Sequence, residues 1–242
     1  MKTTLFMLLA FCLGATTTQA QWGNRIRGNG NEVTETREVG DYDEIQVSHI
    51  FKVELVPGTE GTLTLEGAEN LLEYVITKVS GKRLKITVEK GVQLEAGRNS
   101  DGIRIRVPVT DLRAVEVSGA ADLVSKHTFD FPSLKVASSG ASEVRLAVRS
   151  EGIRISLSGA SEIYLEGRTG HLEVRGSGAS NLDAYKLEAR EVDAERSGAT
   201  DVRVHAKETL TARASGAGNI RYRGNPGSID KKSGRAANII KS

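Results

Sequence analysis

The chain has 242 residues, with 33 Lys and Arg against 31 Asp and Glu, a formal net charge of +2 and 5% aromatic residues. That length suits one elongated all-β domain or two small ones. Near balance of charge, interspersed in short intervals, argues against a nucleic-acid binder, which needs a cationic stripe and stacking rings.

Met1 to Ala20 reads as a secretory signal, with Lys2 at its start, an apolar run from Leu5 to Leu13 and small residues at Thr18-Gln19-Ala20. Cys12 follows Phe11, where a lipoprotein signal carries a small residue, so cleavage after Ala20 is expected and the mature chain begins at Gln21 without a cysteine. Beyond the signal, no segment approaches the roughly 18 consecutive apolar residues of a membrane span. Gln21 to Asn31, rich in Gly, Asn and Arg and lacking an apolar period, reads as a flexible lead-in. A single β domain is expected over residues 32–242.

Its first part consists of short alternating runs: Ile45-Gln46-Val47, Phe51 to Leu55, Leu63-Thr64-Leu65, Leu84 to Val88 and Ile103 to Val107. Turn residues such as Pro57-Gly58 and Ser80-Gly81-Lys82 separate them, so each run reads as a strand burying one face. Arg104 and Arg106 fall on the solvent side of that alternation. Between Glu69 and Val79 helical spacing competes with a β-branched cluster, and the reading is one helical turn at Glu69 to Leu72 followed by a strand.

From about residue 112 the sequence repeats. Ser-Gly-Ala occurs at Ser118, Ser139, Ser158, Ser177, Ser197 and Ser215, with a degraded copy at Ser233-Gly234-Arg235, a period of about twenty residues that marks a solenoid. Apolar or small residues stand one, three and five places before each Ser, as Leu157, Ile155 and Ile153 do before Ser158, which is the period of a strand. Each unit is therefore expected to be strand, glycine corner, strand and a looser return. One unit cannot bury its apolar face alone, whereas stacked units pair in parallel. Roughly twenty residues give a coil perimeter near 60 Å, and seven coils a column on the order of 30 Å long. Glycine suits a corner that needs positive φ, alanine beside it is expected to keep the interior narrow, and the serine hydroxyls are expected to bond one another or corner backbone groups.

With these features the chain resembles the auto-transporter adhesin family with a head GIN domain, exported proteins of Bacteroidetes. The resemblance rests on Tyr42-Asp43-Glu44-Ile45-Gln46-Val47, on Gly81-Lys82-Arg83-Leu84-Lys85-Ile86 and on the Ser-Gly-Ala series, and spans about Val33 to Ile240. It implies a right-handed single-stranded parallel β-helix, an all-β fold, and supplies no catalytic residues and no cofactor.

Candidate chemistry is sparse. Ser197, Asp201 and His205 invite comparison with a nucleophile triad, but four residues of extended chain span about 13 Å, too far for the side chains to meet. His49, His127 and His171 stand without a second ligand at metal spacing. What remains is a polar position that recurs after each corner: Asp122, Glu143, Glu162, Asn181, Asp201 and Asn219. Stacked carboxylates can hold a cation such as Ca²⁺ or act on a glycan; the plainer reading is turn chemistry on a solvated edge. The expected function is that of a non-enzymatic exported module, periplasmic, outer-membrane associated or secreted, binding a glycan, an envelope component or a protein. A polysaccharide lyase or hydrolase on the same stem is the alternative, and a third reading is end-to-end self-association through the last strands near Ala237 to Ile240.

Overall fold

The computed structural model describes residues 24–97 and 100–242; the expected signal, residues 1–20, lies outside them. The described chain is nearly all β and winds into a β-solenoid of about seven turns with repeats near 19 residues. Parallel register makes it a solenoid rather than a meander. Val115 sits beside Ile45 and Val136, and the same row continues through Ile155, Val174, Ala194 and Ala212. Leu123, Val144, Ile163, Leu182, Val202 and Ile220 form a second inward row, all fully buried. Along these two rows each inward side chain packs on its counterparts in the coils above and below, and the backbone ladders run without a register slip.

Each Ser-Gly-Ala is the corner where the first row passes into the second. The six glycines have φ between +68° and +80°, the left-handed region that other residues enter only at a cost. Stacking adds a second constraint: a Cβ on Gly140 would lie 2.6 Å from the Gly119 carbonyl oxygen, and one on Gly159 2.8 Å from that of Gly140. Those oxygens are the acceptors of the corner ladder, the Ala141 N–H donating to Gly119 at 2.7 Å and the Ala160 N–H to Gly140 at 2.8 Å.

Two expectations about the corner change. Its alanines are exposed, and the narrow interior is set by the next residue, Ala121, Ser142, Ser161, Ser180, Thr200 or Gly218, each buried. A left-handed residue turns three successive side chains outward, so the inward alternation resumes one place later than simple counting suggests. The buried hydroxyls of Ser142, Ser161 and Ser180 donate back to the carbonyls of Ser139, Ser158 and Ser177 at 2.9, 3.0 and 3.0 Å, which closes the corner without a stranded polar atom. Among the corner serines, Ser118, Ser177 and Ser215 donate to carbonyls of the preceding coil at 3.3 to 3.4 Å.

The looser return is also corrected: Asp122–Ser138, Glu143–Leu157, Glu162–Gly176, Asn181–Arg196 and Asp201–Ala214 are continuous strands from one corner to the next. Stacking pairs the whole perimeter, not the two sides nearest the corner. Among the described residues one fully inward position carries a charge. Arg196, 2% exposed, fills the space left by Gly176 below and Ala214 above, and its guanidinium donates to the carbonyls of Gly198 (3.2 Å), Ser215 (2.9 Å) and Gly218. Burial pushes its pKa below the ordinary arginine value.

The first coil comes earlier than the first Ser-Gly-Ala. Glu44–Val47 and Lys52–Pro57 pair with the coil that follows, and Ser48-His49-Ile50 occupies the corner, with His49 at φ +76° as the single left-handed residue other than glycine among those described. Below this coil the chain changes style. Arg83–Val88 continues one ladder in parallel and is then covered by antiparallel Val75–Ser80. Arg104–Val109 continues the other, followed by antiparallel Thr62–Ala68 and Glu32–Glu38. Residues 32–111 therefore include a cap of mixed strands around one coil, with the expected helical turn at Glu69–Leu72. Nor is the lead-in without structure: Asn24–Arg27 forms a strand parallel to Val92–Glu95, with partly buried Ile26 packed on the core.

Candidate functional site

The polar residues after each corner stack in register as the repeat implies, Asp122 beside Glu143, then Glu162, Asn181 and Asp201. Their polar atoms are largely taken up by neighbours. Asp201 Oδ1 accepts from the Asn219 backbone N–H at 2.7 Å and from its side-chain amide at 3.1 Å, and Asn219 accepts from Asn238 at 3.2 Å. Glu143 pairs with Arg145, and Glu162 accepts the Tyr164 hydroxyl at 2.6 Å. Asp122 is the member under electrostatic strain: burial raises its pKa, and the Glu143 charge raises it further. Among the described residues no group of three or more His, Cys, Asp or Glu is arranged to hold a metal ion. Asp201, engaged with Asn219, also makes no bond to Ser197 or His205 among the described residues, so these three are not brought together as a triad.

The groove lies one outward position further on, and irregularity builds it. Successive motif serines are 21 residues apart from Ser118 to Ser139, 19 in the next two intervals, 20 from Ser177 to Ser197, then 18. The extra residues are absorbed by register slips between Val124 and Thr128, between Tyr164 and Glu166, between Ala184 and Glu188 and between Ala189 and Glu191. A bulge re-aims side chains locally while leaving the ladder on either side intact. The first three slips, of which the second and third flank the same bulged segment of Asn181–Arg196, open onto one groove of about 500 Å³ lined by Ser125, Tyr164, Glu166, Tyr185 and Lys186.

Two tyrosines on adjacent coils dominate it. The Arg145 guanidinium lies 4.0 Å from the Tyr164 ring centroid, and that of Arg223 4.0 Å from the Tyr185 ring. Asp183 holds Arg203 at 3.2 Å and accepts the Tyr185 backbone N–H at 3.2 Å. The hydrogen bond to Glu162 raises the Tyr164 pKa above the ordinary tyrosine value. Flat rings beside fixed guanidinium and carboxylate groups can face a sugar ring and its hydroxyls together. Sequence reading missed this site because it followed what repeats; the signal was in the repeat lengths.

A larger groove, about 620 Å³, follows the motif serines from Ser118 to Ser215, with Gln46 and Glu116 towards one end and Arg175 and Glu195 towards the other. The corner motif thus contributes surface hydroxyls as well as a turn.

Residues 41–226 match the family model described as putative auto-transporter adhesin, head GIN domain. The chain belongs to this family. Solved structures similar to it include a putative adhesin from Bacteroides fragilis NCTC 9343 at 20% identity and TM-score 0.82, covering 90% of this chain and 100% of that one. A putative lipid binding protein from Parabacteroides distasonis ATCC 8503 aligns at 22% identity and TM-score 0.69 with the same coverage. A putative adhesin from Parabacteroides merdae ATCC 43184 follows at 18% identity and TM-score 0.71, covering 90% and 99%. At such identities the likeness establishes the fold this family member shares with them. No curated protein matches the chain.

Proposed function

We propose that this family member is an exported, non-enzymatic binding module whose bulge-built groove holds a glycan of the cell envelope or of its surroundings. The observation that carries the reading is the convergence of three of the four register slips on one groove containing Tyr164 and Tyr185, each with a guanidinium over its ring. Binding is favoured over hydrolysis because Glu143 is occupied by Arg145, Glu162 by Tyr164 and Asp183 by Arg203, which leaves Glu166 as the one lining carboxylate without a partner among the described residues. A glycosidase needs one of its two carboxyls free to donate a proton and the other free to attack or to activate water.

Calorimetry against a panel of neutral and acidic oligosaccharides tests the reading, with Tyr164→Ala and Tyr185→Ala each expected to weaken binding roughly tenfold while leaving the melting temperature nearly unchanged. Equal binding by the double variant overturns the site, and reproducible release of shorter oligosaccharides overturns the non-enzymatic assignment. Export is tested by N-terminal sequencing of the protein from its native host, where the first residue is expected to be Gln21. Self-association is a second reading, favoured by Ile229 and Ile240, 46% and 45% exposed on the strands Ser228–Ser233 and Asn238–Lys241. Sedimentation at rising concentration distinguishes it, since a constant monomer mass excludes pairing there.

A further inference from the structure

A different turn of the coil, where each strand comes round to the next first-row position, carries a cluster of cations that the tyrosine groove does not use. Ser133, Gly152 and His171 are stacked in register at this turn, and two places further on Lys135 stands beside Arg154. Neighbouring strands lie about 4.8 Å apart, so Lys135 and Arg154 are like charges in adjacent rows of one ladder. On the far side Glu173 holds Arg154 at 2.6 Å, but the same carboxylate also holds Arg175 at 2.9 Å, so two guanidiniums share one negative charge. Lys135 has no ion-pair partner among the described residues. Arg113, at the edge of the same recess, is tied to Asp43 at 2.6 Å.

Gly152 turns this row into a recess of about 300 Å³. A Cβ placed on Gly152 would meet nothing within 4 Å, so the space between the Ser133 hydroxyl and the His171 ring stands open to solvent beside Lys135 and Arg154. Glycine is not needed here for a left-handed backbone, since Gly152 is absent from the positive-φ positions. Two carboxylates border the cluster, Glu173 between its two guanidiniums and Glu191 at 3.6 Å from His171 Nδ1, and Lys135 stays unmatched; an unmatched cation with a hydroxyl and an imidazole around an open recess suits an oxyanion.

We propose that the recess formed by Ser133, Lys135, Gly152, Arg154 and His171 binds a sulfate or phosphate ester group. Lys135 and Arg154 supply charge, and the Ser133 hydroxyl and the Nε2 side of the His171 ring, whose Nδ1 faces Glu191 at 3.6 Å, supply directional hydrogen bonds. The site stands independently of the tyrosine groove, on another turn of the coil, and each can fail without the other.

Inorganic sulfate and inorganic phosphate are titrated into the full chain by NMR, with amide shifts at residues 133–135, 152–154 and 171 as the readout. A sulfated oligosaccharide and vesicles containing phosphatidic acid form two further arms, which separate a glycan ester from a lipid headgroup as its source. Saturable shifts confined to these residues are expected. Lys135→Glu should weaken binding roughly tenfold or more, because it replaces an attraction by a repulsion at contact distance. Gly152→Glu should do the same by filling the recess with negative charge, and its fold is checked by circular dichroism. Lys78→Glu, the same charge reversal on an exposed strand of the cap, should leave the affinity unchanged. No saturable binding of either anion, or equal weakening by Lys78→Glu, overturns the proposal.

Discussion

At the Ser-Gly-Ala corner the coils behave alike: a left-handed glycine, an N–H donated to the carbonyl at the same corner of the coil below and, in three of the six, a buried serine hydroxyl closing the turn. At the turn that carries Tyr164 and Tyr185 they differ, since the coils contribute different numbers of residues and the ladder slips to absorb the difference. Both are changes of direction in one strand, yet one is fixed by stacking and the other has been released from it. In a solenoid, uniformity is what the ladder demands of each coil, and departures concentrate where a surface is needed for something other than the next coil.

The sharpest way to break this contrast is to insert a side chain at the uniform corner. Gly159→Val is expected to cost about 3 kcal/mol or more, combining left-handed strain with a Cβ pressed on the Gly140 carbonyl, and thermal melting measures it. An unchanged melting temperature would mean that the corner tolerates variety after all. Arg196→Met comes next. Removing the guanidinium takes a donor from the carbonyls of Ser215 and Gly218, while Gly198 keeps the Ala217 N–H, at a cost of about 1–3 kcal/mol in denaturant unfolding. At the variable turn the expectation reverses: deleting Tyr185 brings the Ser177 to Ser197 interval to the 19 residues of its neighbours. That chain should keep the fold by circular dichroism and lose the groove's ligand by calorimetry.

Two smaller effects probe the ends of the corner stack. His49→Gly is expected to stabilise by about 0.5 kcal/mol, the relief of left-handed strain exceeding the entropy lost by glycine. Asp122 has a raised folded-state pKa, so it binds its proton more tightly folded than unfolded; its ionised form weakens the fold above that pKa, and the penalty disappears as pH falls through it. Asp122→Asn should therefore raise the melting temperature slightly at neutral pH, with the gain shrinking towards the acid side of the carboxylate range.

The solenoid, its parallel stacking, the glycine corner and the turn at Glu69–Leu72 were all legible in the sequence, because each has a local signature: period two along the strand, period near twenty along the chain, glycine where φ must be positive. The register stacking of Asp122, Glu143, Glu162, Asn181 and Asp201 follows from the same repeat. What escaped were features defined by comparison between coils. Arg196 looks like an ordinary surface arginine until Gly176 and Ala214 are known to lie on either side of it. His49 cannot be seen as a corner residue while only Ser-Gly-Ala is sought, and the strand Asn24–Arg27 has a partner nearly seventy residues away. The groove was hidden in differences of one or two residues between repeats, which a search for regularity discards.

The mixed cap has a consequence for the order of events in folding. From Glu143 onward each coil pairs with chain about twenty residues behind it, a short and inexpensive loop to close. Ala114–Val117, however, must find Glu44–Val47, and Asp122 must find Lys52, about seventy residues back. Closing those loops is the slow step, and every later coil copies the register it sets. Because the cap and the first coil lie entirely before Ser118, a chain emerging N-terminus first has its template in hand before the first repeat arrives, and the solenoid can then lengthen one coil at a time.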